Sequence, residues 1–326
     1  NFVSSFKFLV QSFRFFAPMI SISHKAKQFS VFSIKLLIVI GAFYFIYDKL
    51  AHDESLNWEK FWNVAQHKFT FSVISVLLFM SFLNRFLEIL KWKNLVSFIK
   101  IISTSEATKQ VLAALAAGIF TPNGIGEYAG KALYFDKGQT KTIVFLNLIC
   151  NGIQMILTIL FGTIGLFFLG YTFYAIVIIG ICFLLFGISF LTKSIKVKGY
   201  SIEKLISKIN EIPKTIHRKN NLLAIGRYIV FSHQYYFLFL VFDVDLPYAT
   251  LMATIAVVYF LASSLPSFQF LDFAVKGSVA AFFFGKLDVS EWIVVFIATL
   301  MWFLNVVIPV VIGCFYVLKY KPRWNS

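Results

Sequence analysis

The stretch "TPNGIGEYAGK", residues 121–131, stands between apolar segments. "VLAALAAGIF" precedes it at 111–120, "ALYF" follows at 132–135, and "TIVFLNLICNGIQMILTILFGTIGLFFLG" then runs over 142–170. Pro122 is read as the end of one helical arm, with Gly124 and Gly126 permitting a tight turn or a close backbone approach. A second arm begins near Asn123–Glu127. Irregular backbone at membrane depth is tolerated only where protein or a water-filled cavity satisfies it. The free N–H groups and positive dipole end of the second arm therefore point inward, where an anionic group is favoured.

Composition sets the class around this motif. The chain is 59% apolar and only 14% charged, with a mean hydropathy of +0.79. A soluble domain carries about 25% charge. Several apolar runs reach the roughly 20 residues that a bilayer-spanning helix needs, and the alternation of a membrane β-barrel is absent. The fold class predicted is an all-α integral membrane protein.

Cys150, Cys182 and Cys314 lie inside apolar runs and are read as small core residues. No metal-binding cluster, Walker loop or nucleophile elbow is visible, so no metal, cofactor or enzymatic activity is expected. The net charge is +15, carried in loops between apolar helices. That distribution fits anionic lipid headgroups and excludes nucleic acid as the expected partner.

Residues 1–30 carry Lys7, Arg14, Lys25 and Lys27 with Phe2, Phe6, Leu9, Phe13 and Phe16 at helical spacing, which predicts an amphipathic segment on the membrane surface. Spans are predicted over 31–47, 69–90, 142–169, 175–192, 222–242 and 291–317. The longest polar stretch, 193–221, holds eight Lys/Arg and two acids, and a short basic tail occupies 318–326. Segments 1–35, 85–109, 136–141, 193–219 and 318–326 are net positive, whereas 48–68, 170–174, 243–247 and 286–291 are neutral or negative. The first set, including both termini, is predicted to be cytoplasmic, in a bacterial inner membrane.

Under that assignment residues 107–135 begin and end on one side, as do residues 248–284. Each must enter the membrane and return. The chain then divides into two repeats, 31–169 and 175–317, each reading span, span, hairpin, span, with the second inverted. This is an arrangement common among transporters. The hairpins share a motif: Pro122 precedes Glu127 and Lys131, and Pro266 precedes Asp272 and Lys276. Both acid–Lys pairs have (i, i+4) spacing and share a helix face. They serve either as structural bridges or as headgroup-binding residues. Asn84, Asn147, Asn151, Gln154, Gln234 and Asn305 are expected to bond helix to helix. Arg227 is expected to snorkel to the surface, and His233 is a candidate for proton coupling.

At "TPNGIGEYAGKALYF" the sequence resembles the flippase-like transmembrane family, which includes the membrane region of lysylphosphatidylglycerol synthases. The family's Pro–Gly–x–x–Gly–Glu pattern corresponds to Pro122, Gly124, Gly126 and Glu127, with one residue of spacing difference. The second half departs, with Asp272 standing for the family's acid, and neither 142–169 nor 291–317 carries the Arg that the family tends to place there. The resemblance implies a lipid flippase that moves an anionic or aminoacylated lipid, or a lipid-linked substrate, between leaflets. The 318–326 tail has no room for the aminoacyl-transferase domain of the synthases, so this chain alone is not expected to modify lipid. The competing reading is a non-transporting scaffold or accessory subunit in lipid or envelope-glycan assembly, with loop 193–219 as its docking surface.

Overall fold

A computed structural model describes residues 66–119, 121, 124–195, 201–265 and 271–320. The segment 1–30, the span 31–47, Pro122, Asn123, Pro266 and the tail from residue 321 lie outside the described residues. Among those described the chain is helical, with no strand.

Helix α1 (Phe71–Val96) starts where the Thr70 hydroxyl accepts from the Val73 amide. Helix α2 (Thr104–Gly118) starts at a reciprocal capping box, in which Ser103 and Glu106 each accept the other's backbone N–H at 3.1–3.2 Å. Helix α3 (Ile125–Ala132) follows Gly124, whose φ of 67° a side chain rarely adopts. Helices α4 (Thr140–Phe168) and α5 (Thr172–Leu191) come next, then a short surface helix α6 (Ile202–Glu211) inside the polar stretch. Helices α7 (Lys214–Val241), α8 (Tyr248–Ser264) and α9 (Asp272–Gly285) follow. The chain continues through α10 (Glu291–Trp302), a π-helical turn (Phe303–Val307) and α11 (Ile308–Lys319).

Among the described residues four helical stretches are long and apolar enough to cross a membrane: Phe71–Val96, Lys137–Phe168, Thr172–Leu191 and Glu291–Lys319. Of the six expected spans, the first is outside the described residues and the one expected at 222–242 is not among these four. That segment belongs to α7, which has 28 residues but carries His217, Arg218, Lys219, Arg227 and His233. Helix α5 buries only Ala175 and exposes Phe173, Phe183, Phe186 and Phe190, a surface suited to lipid rather than water. Cys182 is exposed on this helix, contrary to its reading as a core residue, while Cys150 and Cys314 are buried.

The charged positions of α1 require a second correction. Arg85, Glu88 and Lys91 read as loop charges, yet they sit well inside a 26-residue helix, with Glu88 and Lys91 buried. The apolar residues around them, Ile89, Trp92, Leu95 and Val96, are buried too and continue the helical face.

The short helices pair up and are held by the long ones. Helix α2 packs on α3, and α8 on α9. At 1.5 Å per residue these four measure roughly 22, 12, 26 and 21 Å, all short of a ~30 Å hydrocarbon layer. Helix α2 also packs along α11, and α8 along α4, while α1 packs against α7. Small residues allow the close approach. A Cβ on Gly313 would lie 2.1 Å from the Leu112 carbonyl oxygen, and one on Gly162 would lie 2.2 Å from the Phe260 Cβ.

Contacts at helix ends join segments of like loop charge. Asn94 Nδ2 donates to the Ile216 carbonyl at 2.8 Å, joining two positive segments. Lys68 pairs with Asp243, and Lys286 donates to the Tyr171 hydroxyl at 3.1 Å, joining segments of the other class.

Candidate functional site

A cavity of about 370 Å³ lies at the centre of the bundle. Its wall takes Arg85 and Glu88 from α1, Glu127 from α3, Gln154 from α4, Arg227 from α7, Asp272 and Lys276 from α9, and Asn305 from the π-helical turn. Elements from both halves of the chain therefore meet around one space. Among the described lining residues three are basic and three acidic, so their formal charges balance.

The polar residues are arranged by each other. Glu88 accepts from Arg85 Nη1 through one carboxylate oxygen and lies 3.3 Å from Arg227 Nη2 at the same oxygen. One buried carboxylate thus serves two guanidinium groups from two helices, and these charges are kept paired away from water. Arg227 Nε donates to Asn84 Oδ1 at 3.0 Å, and Asn84 Nδ2 donates to Asn305 Oδ1 at 2.7 Å. Asn305 Nδ2 donates to Gln234 Oε1 at 3.0 Å, and Gln234 Nε2 donates to Ser81 Oγ at 2.8 Å. This chain of amides ties α1, α7 and the last span together. The Asn305 carbonyl accepts from Arg85 Nη2, within a π-helical turn that departs from the regular α-helical ladder.

The second hairpin motif faces the cavity with both of its ionic residues. Lys276 Nζ donates to Asp272 Oδ2 at 2.6 Å and lies 5.0 Å from the Tyr259 ring centre. In the first hairpin motif Glu127 lines the cavity, and Lys131 is not among the lining residues. Lys131 is fully buried, donates to Asn147 Oδ1 at 2.6 Å, and lies 4.7 Å from the Trp92 ring centre.

The glycines of the first motif set the approach of α3 to α2. Gly126 N–H donates to Thr121 Oγ1 at 2.8 Å, and a Cβ there would lie 2.9 Å from the Ala117 carbonyl oxygen. A Cβ on Gly118 would lie 2.7 Å from the Glu127 Cγ. Glu127 is thereby pressed against the end of α2.

The structure gives Arg227, His233, Arg85 and Glu88 settings that the sequence alone does not. Arg227 does not extend away from the bundle but joins the buried Glu88 cluster. His233 is not brought to the cavity, since its ring nitrogens meet the Ile229 carbonyl and the Tyr248 hydroxyl, each at 2.9 Å. Arg85 and Glu88 are site residues that the sequence reading counted as loop charges. Their signal was an Arg–Glu pair at (i, i+3) spacing followed by apolar residues that keep the helical period. The expected interhelical role of the amides holds for Asn84, Asn147, Gln234 and Asn305. Among the described residues no group of His, Cys, Asp and Glu is gathered to hold a metal. No family profile, curated protein or solved structure matches the chain.

Proposed function

We propose that this protein moves a polar lipid between membrane leaflets, with the headgroup passing through the central cavity and the acyl chains remaining in lipid. The observation that carries the reading is the convergence of Glu127 and Asp272, from two separate hairpin motifs, on one charged cavity inside an apolar helical bundle. Ionisable residues at membrane depth most often mark a substrate pathway. The balanced wall suits a headgroup carrying both signs, such as a phosphate with an amine, as in an aminoacylated or zwitterionic lipid. The side chains of Arg85 and Gln154 line the cavity, and their buried Arg85 Nε and Gln154 Nε2 donors have no acceptor among the described residues.

In this reading α2–α3 and α8–α9 are re-entrant hairpins, and the chain is an inverted repeat. Two findings support it. None of the four hairpin helices is long enough to span a bilayer. The packing also exchanges between halves: α2 lies on α11 as α8 lies on α4, and α1 meets α7. The resemblance to flippase-like transmembrane proteins agrees with it.

The test is movement of headgroup-labelled zwitterionic and anionic lipids in proteoliposomes, read by quenching of outer-leaflet label. Quenching beyond one half, absent from protein-free vesicles, is expected. No movement of any headgroup, with or without an ion gradient, would overturn the reading. Single cysteines at Asn57 and Leu205 should be labelled from opposite sides, and labelling from one side would remove the inverted topology.

The scaffold reading draws on one observation. Helix α6 carries Leu205, Ile206 and Ile209 exposed on one stripe, within a basic segment. That stripe serves equally as a membrane-surface contact. Retention of cellular phenotype by a Glu127→Gln, Asp272→Asn double variant would favour the scaffold.

A further inference from the structure

The two halves differ at one corresponding place. Beside the polar cavity lies an apolar groove of about 420 Å³ between α1, α2 and α11. Along α1 it is lined by Phe82, Phe86 and Ile89, which stand three before, one after and four after Arg85. Along α11 it is lined by Ile308, Ile312 and Tyr316, spaced four residues apart.

The same register on α7, counted from Arg227, gives Ala224, Tyr228 and Phe231. Opposite them, α4 offers Ile153, Leu157 and Phe161, again four residues apart. These six residues form one packed cluster with Tyr259. The Phe161 and Tyr228 rings stack with centres 4.5 Å apart, and Phe231 lies 4.6 Å from Tyr259. What is a groove beside Arg85 is filled with aromatic rings beside Arg227.

Arg85 belongs to both the groove wall and the cavity wall. Two of its donors are used by Glu88 and the Asn305 carbonyl, and its Nε has no acceptor among the described residues. A molecule lying across this junction meets a cationic donor at its polar end and an apolar trough beyond it. That is the layout of a phospholipid, with phosphate against guanidinium and a chain on hydrocarbon side chains.

We propose that the groove holds one acyl chain of the lipid whose headgroup enters the cavity, and that the Phe161–Tyr228–Phe231–Tyr259 cluster is the same lateral passage in its closed form. The occupant's headgroup rests on the reading above, but the groove is tested by binding rather than by transport. An ordinary lipid-facing surface, such as α5, provides the comparison.

The experiment uses the full chain in vesicles of phosphatidylethanolamine and phosphatidylglycerol containing a trace of phospholipid with a diazirine on its acyl chain. Labelled peptides are mapped by mass spectrometry. Labelling per residue at Phe82, Phe86 and Ile312 should exceed that at Leu184 and Phe186 by at least fivefold. Ile312→Trp, which fills the groove, should lower groove labelling at least fivefold and leave α5 labelling unchanged. Leu184→Trp should change neither. Arg85→Gln should weaken groove labelling several-fold, and Arg85→Lys should restore part of it.

Labelling that follows exposure alone, equal on the groove and α5, would overturn the proposal. So would groove labelling that survives Ile312→Trp. Lipid movement with uniform labelling would remove the groove and keep transport. Groove labelling without lipid movement would remove transport and keep the groove.

Discussion

Two hairpin motifs with the same spacing place their lysines in different surroundings. Lys276 pairs with the acid four residues before it and faces the cavity, with about a quarter of its side chain exposed. Lys131 is fully buried between α3, α4 and α1, bonded to Asn147 and set over Trp92. The difference comes from the neighbouring helix. Helix α4 offers an amide acceptor at Asn147, whereas α10 contributes the apolar Ala298 and Met301 to the cavity that Lys276 also lines. A motif spacing therefore fixes which face two residues share, and the packing partner decides which of them reaches the site. The first motif is anchored by its lysine and presents Glu127 to the cavity, while the second presents a whole ion pair.

The largest effect should come from the carboxylate between the two halves. Glu88→Gln leaves Arg85 and Arg227 without their shared anion, and breaking a buried pair costs about 3–5 kcal/mol. Thermal unfolding in detergent should show the loss, and a small shift would mean that the cluster is solvated. The lysines provide the next contrast. Lys131→Met should cost about 1.5–3 kcal/mol, because a charged hydrogen bond is lost and Asn147 Oδ1 stays buried. Lys276→Met should cost under about 1 kcal/mol, since its pair is partly exposed, yet it should slow lipid movement at least tenfold. Equal stability losses for the two variants would break the comparison.

Helix packing offers a smaller test. Gly313→Ala and Gly162→Ala crowd Leu112 and Phe260 and should each cost about 1–3 kcal/mol. Gly180→Ala, with nothing within 4 Å of its added Cβ, should cost nothing measurable. The smallest effect on lipid movement among the polar residues is expected at His233. His233→Ala removes a hydrogen bond to Tyr248, worth about 0.5–1.5 kcal/mol. It should change transport less than twofold at any pH, and a lost pH response would make His233 a coupling residue.

Much of the architecture is legible in the sequence because the apolar runs, the helix breakers and the loop charges act locally. The motif at 121–131 reads as a chain reversal because Pro and Gly impose backbone limits wherever they occur. The cavity's arginines are not legible in the same way. Arg85 and Arg227 lie toward the ends of apolar stretches, where a lone charge is ordinarily solvated or snorkels. Only the meeting of α1 with α7 gives both of them one partner, Glu88, and that contact joins positions 139 residues apart. The fate of Lys131 was hidden for a related reason. Asn147 is 16 residues away and Trp92 is 39 residues before it, so the sequence spacing points to Glu127 while the folded packing supplies the other two.

The proposed route of the headgroup runs through the cavity. Ser263 lines it and offers one position where the route can be closed and reopened. With Cys182, the one exposed cysteine among the described residues, replaced by serine, Ser263→Cys is treated with a bulky polar disulfide reagent in proteoliposomes. Lipid movement should stop on modification and return on reduction. Movement that continues at the same rate with Cys at position 263 fully modified would contradict the account.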